Sequence, residues 1–251
     1  MPSRSEGMAE SKDPCILGSA APLRTFSQRT RRLTNSSHLR DHANGDMPTN
    51  KTIFWEVDTQ ADFMLPGGKL YVPGAERLLP NIQRLTDAAR QNKVFLVSHG
   101  CYHLPDDPEF AAFPPHCLQQ TAGADFVPQA LTEKVLRIPN DPRATIPEDL
   151  SAYQQILLEK QTLDVFQSRH AATLVQRLPA DANYVVFGVV TEYCVRFAAK
   201  GLLSRGRRVS IVQDAIEALS TTAARETIAE LQALGATFIT TDEALNSLSP
   251  R

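Results

Sequence analysis

YVVFGVVTEYCV, residues 184–195, is a short apolar run that passes straight into a polar turn and a cysteine. Residues 184–187 are apolar throughout, with no in-out alternation, as a strand covered on both faces requires. The pattern after Thr191 reads as a helix over residues 191–204, with Thr191 as its N-cap. A buried strand that opens into a helix is the unit of a parallel sheet.

Working outward, the same alternation recurs. TIFWEV (52–57), KVFLVS (93–98), QQILLE (154–159), 208–212 and 237–240 read as strands, and 75–91, 170–177 and 222–234 carry helical spacing. Pro80 fits the helix over 75–91 only near its first turn. Right-handed crossovers then predict a three-layer α/β/α doubly wound sheet, mostly parallel, with about six strands. Residues 100–143 read as one long loop, a length that signals function or disorder.

Composition is that of a globular domain: of 251 residues, 42% are hydrophobic and 22% charged, with a net charge of −2. That balance gives no reason to expect a nucleic-acid partner. No apolar run reaches the roughly 18 residues that span a bilayer, so no membrane partner is expected. Cys15, Cys101, Cys117 and Cys194 fit no disulfide framework, so the thiols are read as reduced and the location as cytoplasmic.

The first 46 residues contain RTRRLTNSSHLRDHANGD (29–46), which has little to bury and is expected to be disordered. Their Arg and Ser content resembles a transit peptide, but Glu6, Glu10, Asp13, Asp41 and Asp46 are what such peptides avoid. The reading is therefore an N-terminal extension over 1–48 and one domain over 49–251, with Met47 as the natural start.

Ligands of open parallel sheets bind beyond the carboxyl ends of the strands. After the first strand comes Asp58; after the second, His99, Cys101 and His103; after the third, Lys160; and after the fourth, Cys194. A helix N-terminus at Cys194 would favour its thiolate, the nucleophilic form. Asp58 alone would also suit phosphoryl transfer, but a second metal-holding carboxylate and a phosphate loop are both lacking, Asp62 being read as pointing elsewhere.

At these residues the sequence resembles the isochorismatase-like cysteine hydrolases, and nicotinamidases in particular. VDTQADFMLPGGKLYVPGAE (57–76), EFAAFPPHCLQQTAGADF (109–126) and GVVTEYCV (188–195) carry the likeness, which runs over residues 52–246. The resemblance implies a catalytic triad of Asp58, Lys160 and Cys194. It also implies a cis Val189–Val190 peptide and an oxyanion hole from the N–H groups of Val190 and Cys194. The reaction implied is hydrolysis of a small amide through an acyl-enzyme thioester, most simply nicotinamide to nicotinic acid and ammonia. The open alternatives are a ureido or carbamoyl amide and a catalytically silent binding relative. The presence of Cys194 points away from isochorismatase activity, which in known relatives lacks it.

The family's metal ligands fall on Cys101, His103 and His116, with Cys101 where the family has Asp. Cys–His–His suits zinc or another divalent metal, and a thiolate favours zinc over manganese. The competing reading is a lost metal, with His116 lining the pocket and Cys101 packing. No organic cofactor is implied. His99 reads as a loop or core histidine, Cys117 as a packed small side chain, and Phe63 as an aromatic wall of the substrate pocket. Gln120 stands where the family prefers Gly. Oligomers are common in the family, so a homo-oligomer is the corresponding expectation.

Overall fold

In the computed structural model, which describes residues 52–248, the apolar runs assemble into one sheet. Its strands are β1 (Thr52–Val57), β2 (Phe95–Cys101), β3 (Val135–Ile138), β4 (Gln155–Lys160), β5 (Asn183–Val189), β6 (Arg208–Glu217) and β7 (Thr237–Ile239). Their order is β3-β4-β2-β1-β5-β6-β7, and every pairing is parallel. The expected extension over 1–48 lies outside the described residues, apart from which the sheet has seven strands where about six were expected.

The extra strand is β3, inside the stretch read as one long loop. It is four residues at a sheet edge, and three of them are only partly buried or exposed, so no apolar run announces it. β2 also runs three residues further than the sequence suggested, so His99 and Cys101 lie in a strand and not in the following loop.

The helices are α1 (Ala61–Met64), α2 (Leu79–Arg90), α3 (Ala171–Arg177), α4 (Arg196–Leu203), α5 (Thr221–Ala233) and α6 (Thr241–Asn246). The helix expected over 75–91 begins as a 3-10 turn, and Pro80 sits in the first turn of α2, where its missing N–H costs nothing. α1 and α6 are too short to show a period. α6 is nucleated by a capping box between Thr240 and Glu243.

Two apolar layers cover the sheet. On one face Phe54, Leu96 and Phe187 pack with Ile82 and Leu85 of α2 and Ala244 of α6. On the other, Trp55, Val97 and Val186 pack with Leu174 of α3, Ala198 and Leu202 of α4 and Leu231 of α5. Each fully buried aliphatic side chain contributes roughly 1.5–3 kcal/mol. Among the described residues no helix is long and apolar enough to cross a membrane.

One carboxyl interrupts the first layer. Glu56 of β1 is completely buried. Its Oε2 accepts from Ser98 Oγ at 2.6 Å, and Gln155 Nε2 donates to Ser98 Oγ at 2.7 Å and to Ala130 O at 2.9 Å. The network ties the loop before β3 to the sheet. Burial pushes the Glu56 carboxyl up to about 8, against the hydrogen bonds from Ser98 and Thr59. Between its ordinary value near 4.5 and about 8, the unfolded chain gives up this proton while the folded chain keeps it. Stability therefore falls as pH rises through that window. Glu56→Gln keeps the shape and removes the slope. Thermal melts from pH 5 to 9 should show the variant gaining on the wild type as pH rises, by roughly 2–4 °C per kcal/mol of relieved ionisation cost.

Candidate active site

Four strand ends converge at the carboxyl edge. Asp58 follows β1 directly, and its N–H donates to His99 O at 2.9 Å. Its φ of +50° lies in the left-handed region, which Asp tolerates better than most residues. Lys160 ends β4 and is the register partner of Cys101 at the end of β2. Cys194 sits on the turn that leaves β5.

The structure brings Asp58, Lys160 and Cys194 together around one ammonium. Lys160 Nζ lies 2.9 Å from Asp58 Oδ2, 2.9 Å from Cys101 Sγ and 3.6 Å from Cys194 Sγ. The ammonium thus donates to two sulfurs and pairs with one carboxylate. Lys160 is wholly buried and Asp58 and Cys194 nearly so.

Burial alone would neutralise Asp58, but Lys160, aided by hydrogen bonds from His99 and Cys194, holds its carboxyl well below the usual carboxylate range. Burial likewise opposes the Lys160 charge, and the acceptors Asp58, Cys101 and Cys194 overcome it, pushing Lys160 well above its ordinary value. Burial and the Asp58 charge together push the Cys194 thiol well up. The resting site is therefore carboxylate, ammonium and thiol. Burial and the neighbouring carboxylate thus oppose the thiolate that a helix terminus would favour, while Lys160 supports it. Such a set can pass the thiol proton to Asp58 when the sulfur attacks, with Lys160 neutralising whichever partner is charged.

The turn itself also departs from expectation. Thr191–Val195 is a π-helical turn ahead of α4, in place of one helix over 191–204. Val190, not Thr191, occupies the cap position, because the Thr191 hydroxyl is used elsewhere, donating to Glu217 O at 2.8 Å. The Val189–Val190 peptide is cis, as the resemblance implied.

Cys101, His103 and His116 form a second buried group, their ligand atoms all within 4.8 Å of one another. His116 Nδ1 donates to Pro114 O at 2.9 Å, leaving the Nε2 lone pair free. His103 Nδ1 pairs with Asp107 Oδ2 at 2.9 Å, and its buried Nε2 has no hydrogen-bond partner. Fixing one imidazole nitrogen so as to present the other is how metal-binding histidines are oriented. Burial also keeps His116 below its ordinary value, hence neutral as a ligand must be. Burial and the Asp58 charge push the Cys101 thiol up to about 12, so a cation would have to displace its proton. The donor set fits a divalent metal.

Sequence reasoning missed Glu109, whose Oε1 lies 3.8 Å from His116 Nε2 and 4.0 Å from His103 Nε2. The DDPEF stretch at 106–110 carried the signal: Asp107 caps a 3-10 turn by accepting from Glu109 N at 2.9 Å, while it also holds His103. His99 is not part of this group. It is a buried strand residue whose Nδ1 faces Asp58 Oδ1 at 3.4 Å. Cys117 is buried as expected, and Asp62 is structural, accepting from Cys117 N and Lys69 N. Gln120 has φ +64°, the left-handed conformation that glycine occupies at least cost.

Cys194 and Cys101 open onto a small cavity lined also by Phe63, Phe113, Tyr193, Leu219, Glu109 and His116. Phe113 and Tyr193 meet edge to face at 5.8 Å. No Lys or Arg lines the cavity among the described residues.

The isochorismatase domain model matches residues 53–243. The nicotinamidase of Escherichia coli (strain K12) is 22% identical over 206 residues, 73% of this chain and 92% of its own. Among solved structures, the pyrazinamidase of Pyrococcus horikoshii in complex with zinc is 23% identical with a TM-score of 0.61, covering 76% of this chain and 99% of its own. The N-carbamoylsarcosine amidase of Thermoplasma acidophilum is 20% identical with a TM-score of 0.59, covering 76% and 96%.

Because breaking one side of a buried ion pair strands the other charge, Lys160→Met should cost roughly 3–5 kcal/mol of stability in denaturant unfolding at pH 7. The loss should shrink as pH falls below the ordinary carboxylate range, where Asp58 is protonated in the unfolded chain and the pair no longer favours the fold.

Proposed function

The chain belongs to the isochorismatase family, a family of hydrolases, and on that footing we propose that it is a cysteine amidohydrolase of nicotinamidase type. The observation that carries the substrate class is the cavity: a cysteine at its base, aromatic walls from Phe63, Phe113 and Tyr193, and no basic side chain. Such walls suit a flat, uncharged aromatic amide. An N-carbamoyl amino acid would bring a carboxylate that meets no Lys or Arg on the lining and faces Glu109, so that only a metal on Cys101, His103 and His116 would offer it a cation.

In this reading Asp58 takes the thiol proton as Cys194 Sγ attacks the amide carbonyl carbon. The N–H groups of Val190 and Cys194 receive the oxyanion. Lys160, 2.9 Å from Asp58 Oδ2, keeps the carboxylate oriented and the site neutral. Asp58 returns the proton to the departing nitrogen, which leaves as ammonia. The acyl-thioester is then hydrolysed, with Asp58 activating the water. Cys101, His103 and His116 would hold a divalent metal, zinc by the character of the donors, supplying a Lewis acid for a ring nitrogen. The histidines and Asp107 pre-orient that corner of the pocket.

Purified protein should release ammonia from nicotinamide and contain about one zinc per chain by elemental analysis, as three to four protein donors imply. Cys194→Ala and Asp58→Asn should each lower kcat/KM by on the order of 10³-fold or more. Absence of ammonia from nicotinamide and related aromatic amides rules out this substrate class. A Cys194→Ser variant that keeps full activity would favour phosphoryl transfer, and an inert Cys194 would favour a binding role.

A further inference from the structure

The π-helical turn that carries Cys194 is short. Val195 N and Tyr193 N both donate to Val190 O at 3.1 Å, and Arg196 N donates to Thr191 O and Tyr193 O. A π turn is a rare geometry, and contacts from outside the turn support this one.

That support comes from one segment, the connection between β6 and α5. Thr191 Oγ1 donates to Glu217 O. Glu192 Oε1 accepts from Leu219 N at 3.0 Å and from Ser220 N at 2.8 Å. Ser220 is the N-cap of α5, so the Glu192 carboxylate sits at the positive end of a 13-residue helix. Glu192 is 9% exposed, and its other oxygen, Oε2, has no hydrogen-bond partner. A half-satisfied buried carboxylate is costly, and packing alone would be better served by an apolar side chain.

Glu192 lies two residues before the nucleophile, and its two donors lie on the segment that puts Leu219 into the cavity wall. Glu192 itself does not line the cavity. We propose that Glu192 is a positioning residue, one carboxylate that sets both the Cys194 sulfur and the Leu219 wall of the substrate pocket. The kinetic half of this inference rests on the amidase reading, whereas the reactivity of Cys194 does not.

The test compares Glu192→Ala, Glu192→Gln and Leu219→Ala. Three quantities are followed: the rate of Cys194 alkylation by iodoacetamide, located by peptide mass spectrometry, and kcat and KM for nicotinamide. Glu192→Ala should slow alkylation and kcat by about 10- to 100-fold, the scale of a misplaced reacting group, and raise KM. Glu192→Gln should stay within roughly threefold of wild type, because its amide oxygen still accepts from both N–H groups. Leu219→Ala should raise KM without slowing alkylation, and the double variant should show no further rise in KM.

Wild-type alkylation of a folded Glu192→Ala protein, or a Glu192→Gln protein as impaired as Glu192→Ala, overturns the proposal. Should Glu192→Ala fail to fold, Glu192→Asp, one methylene shorter, carries the same test. The Leu219 and Ser220 amides should then exchange hydrogen faster while Cys194 alkylates more slowly, and faster exchange with unchanged alkylation is a refutation. If wild-type protein does not turn over nicotinamide, the substrate reading fails and the alkylation comparison still decides the role of Glu192.

Discussion

A single ammonium, placed where water cannot reach it, organises this protein. Lys160 ends an interior strand with no exposed surface, and the desolvation of such a charge is offset only by well-placed partners. The partners come from three other places in the chain: Asp58 after β1, Cys101 at the end of β2 and Cys194 after β5. The register that sets Lys160 opposite Cys101 is thus part of the electrostatics of the site, not only of the sheet. Buried charge of this kind adds little net stability, but it penalises any arrangement in which one partner is misplaced.

The same sulfur joins two groups of residues. Cys101 Sγ touches Lys160 and also belongs to the buried Cys101–His103–His116 group. An aspartate offers two oxygens and could divide them between a metal and a lysine; a cysteine has one donor atom for both. The Cys101–His103–His116 group and the charge cluster consequently share an atom. Asp107 reinforces that unit by holding the His103 ring with one oxygen and the Glu109 backbone with the other.

The strain of the site is carried by its frame. Asp58, Cys117 and Gln120 all adopt left-handed backbone conformations, and Cys194 rides on a π turn. Asp58, Cys117 and the turn are fixed by bonds to neighbouring segments: Asp58 N to His99 O, Cys117 N to Asp62, and the turn carrying Cys194 to Glu217–Ser220 through Thr191 and Glu192. A rigid sheet edge makes such conformations affordable, and this is why the reactive groups gather at its rim.

The amino-acid sequence by itself determined the layered parallel architecture, because strands buried on both faces must be apolar throughout and helices between them must be periodic. It also placed Asp58, Lys160 and Cys194 at strand ends, since burial leaves few positions where a charge or a thiol follows an apolar run. β3 stayed hidden, being a short edge strand with little to bury. Phe113 and Glu192 stayed hidden because their roles lie in what they face across tens of residues, which no local period encodes. The electrostatics of Cys194 were decided by tertiary structure: a helix terminus nearby argues for thiolate, but only the packed site reveals the buried carboxylate that pushes the thiol up. Local pattern is governed by burial, which the chain records residue by residue; site chemistry is governed by distance and dielectric, which exist only once the chain has folded.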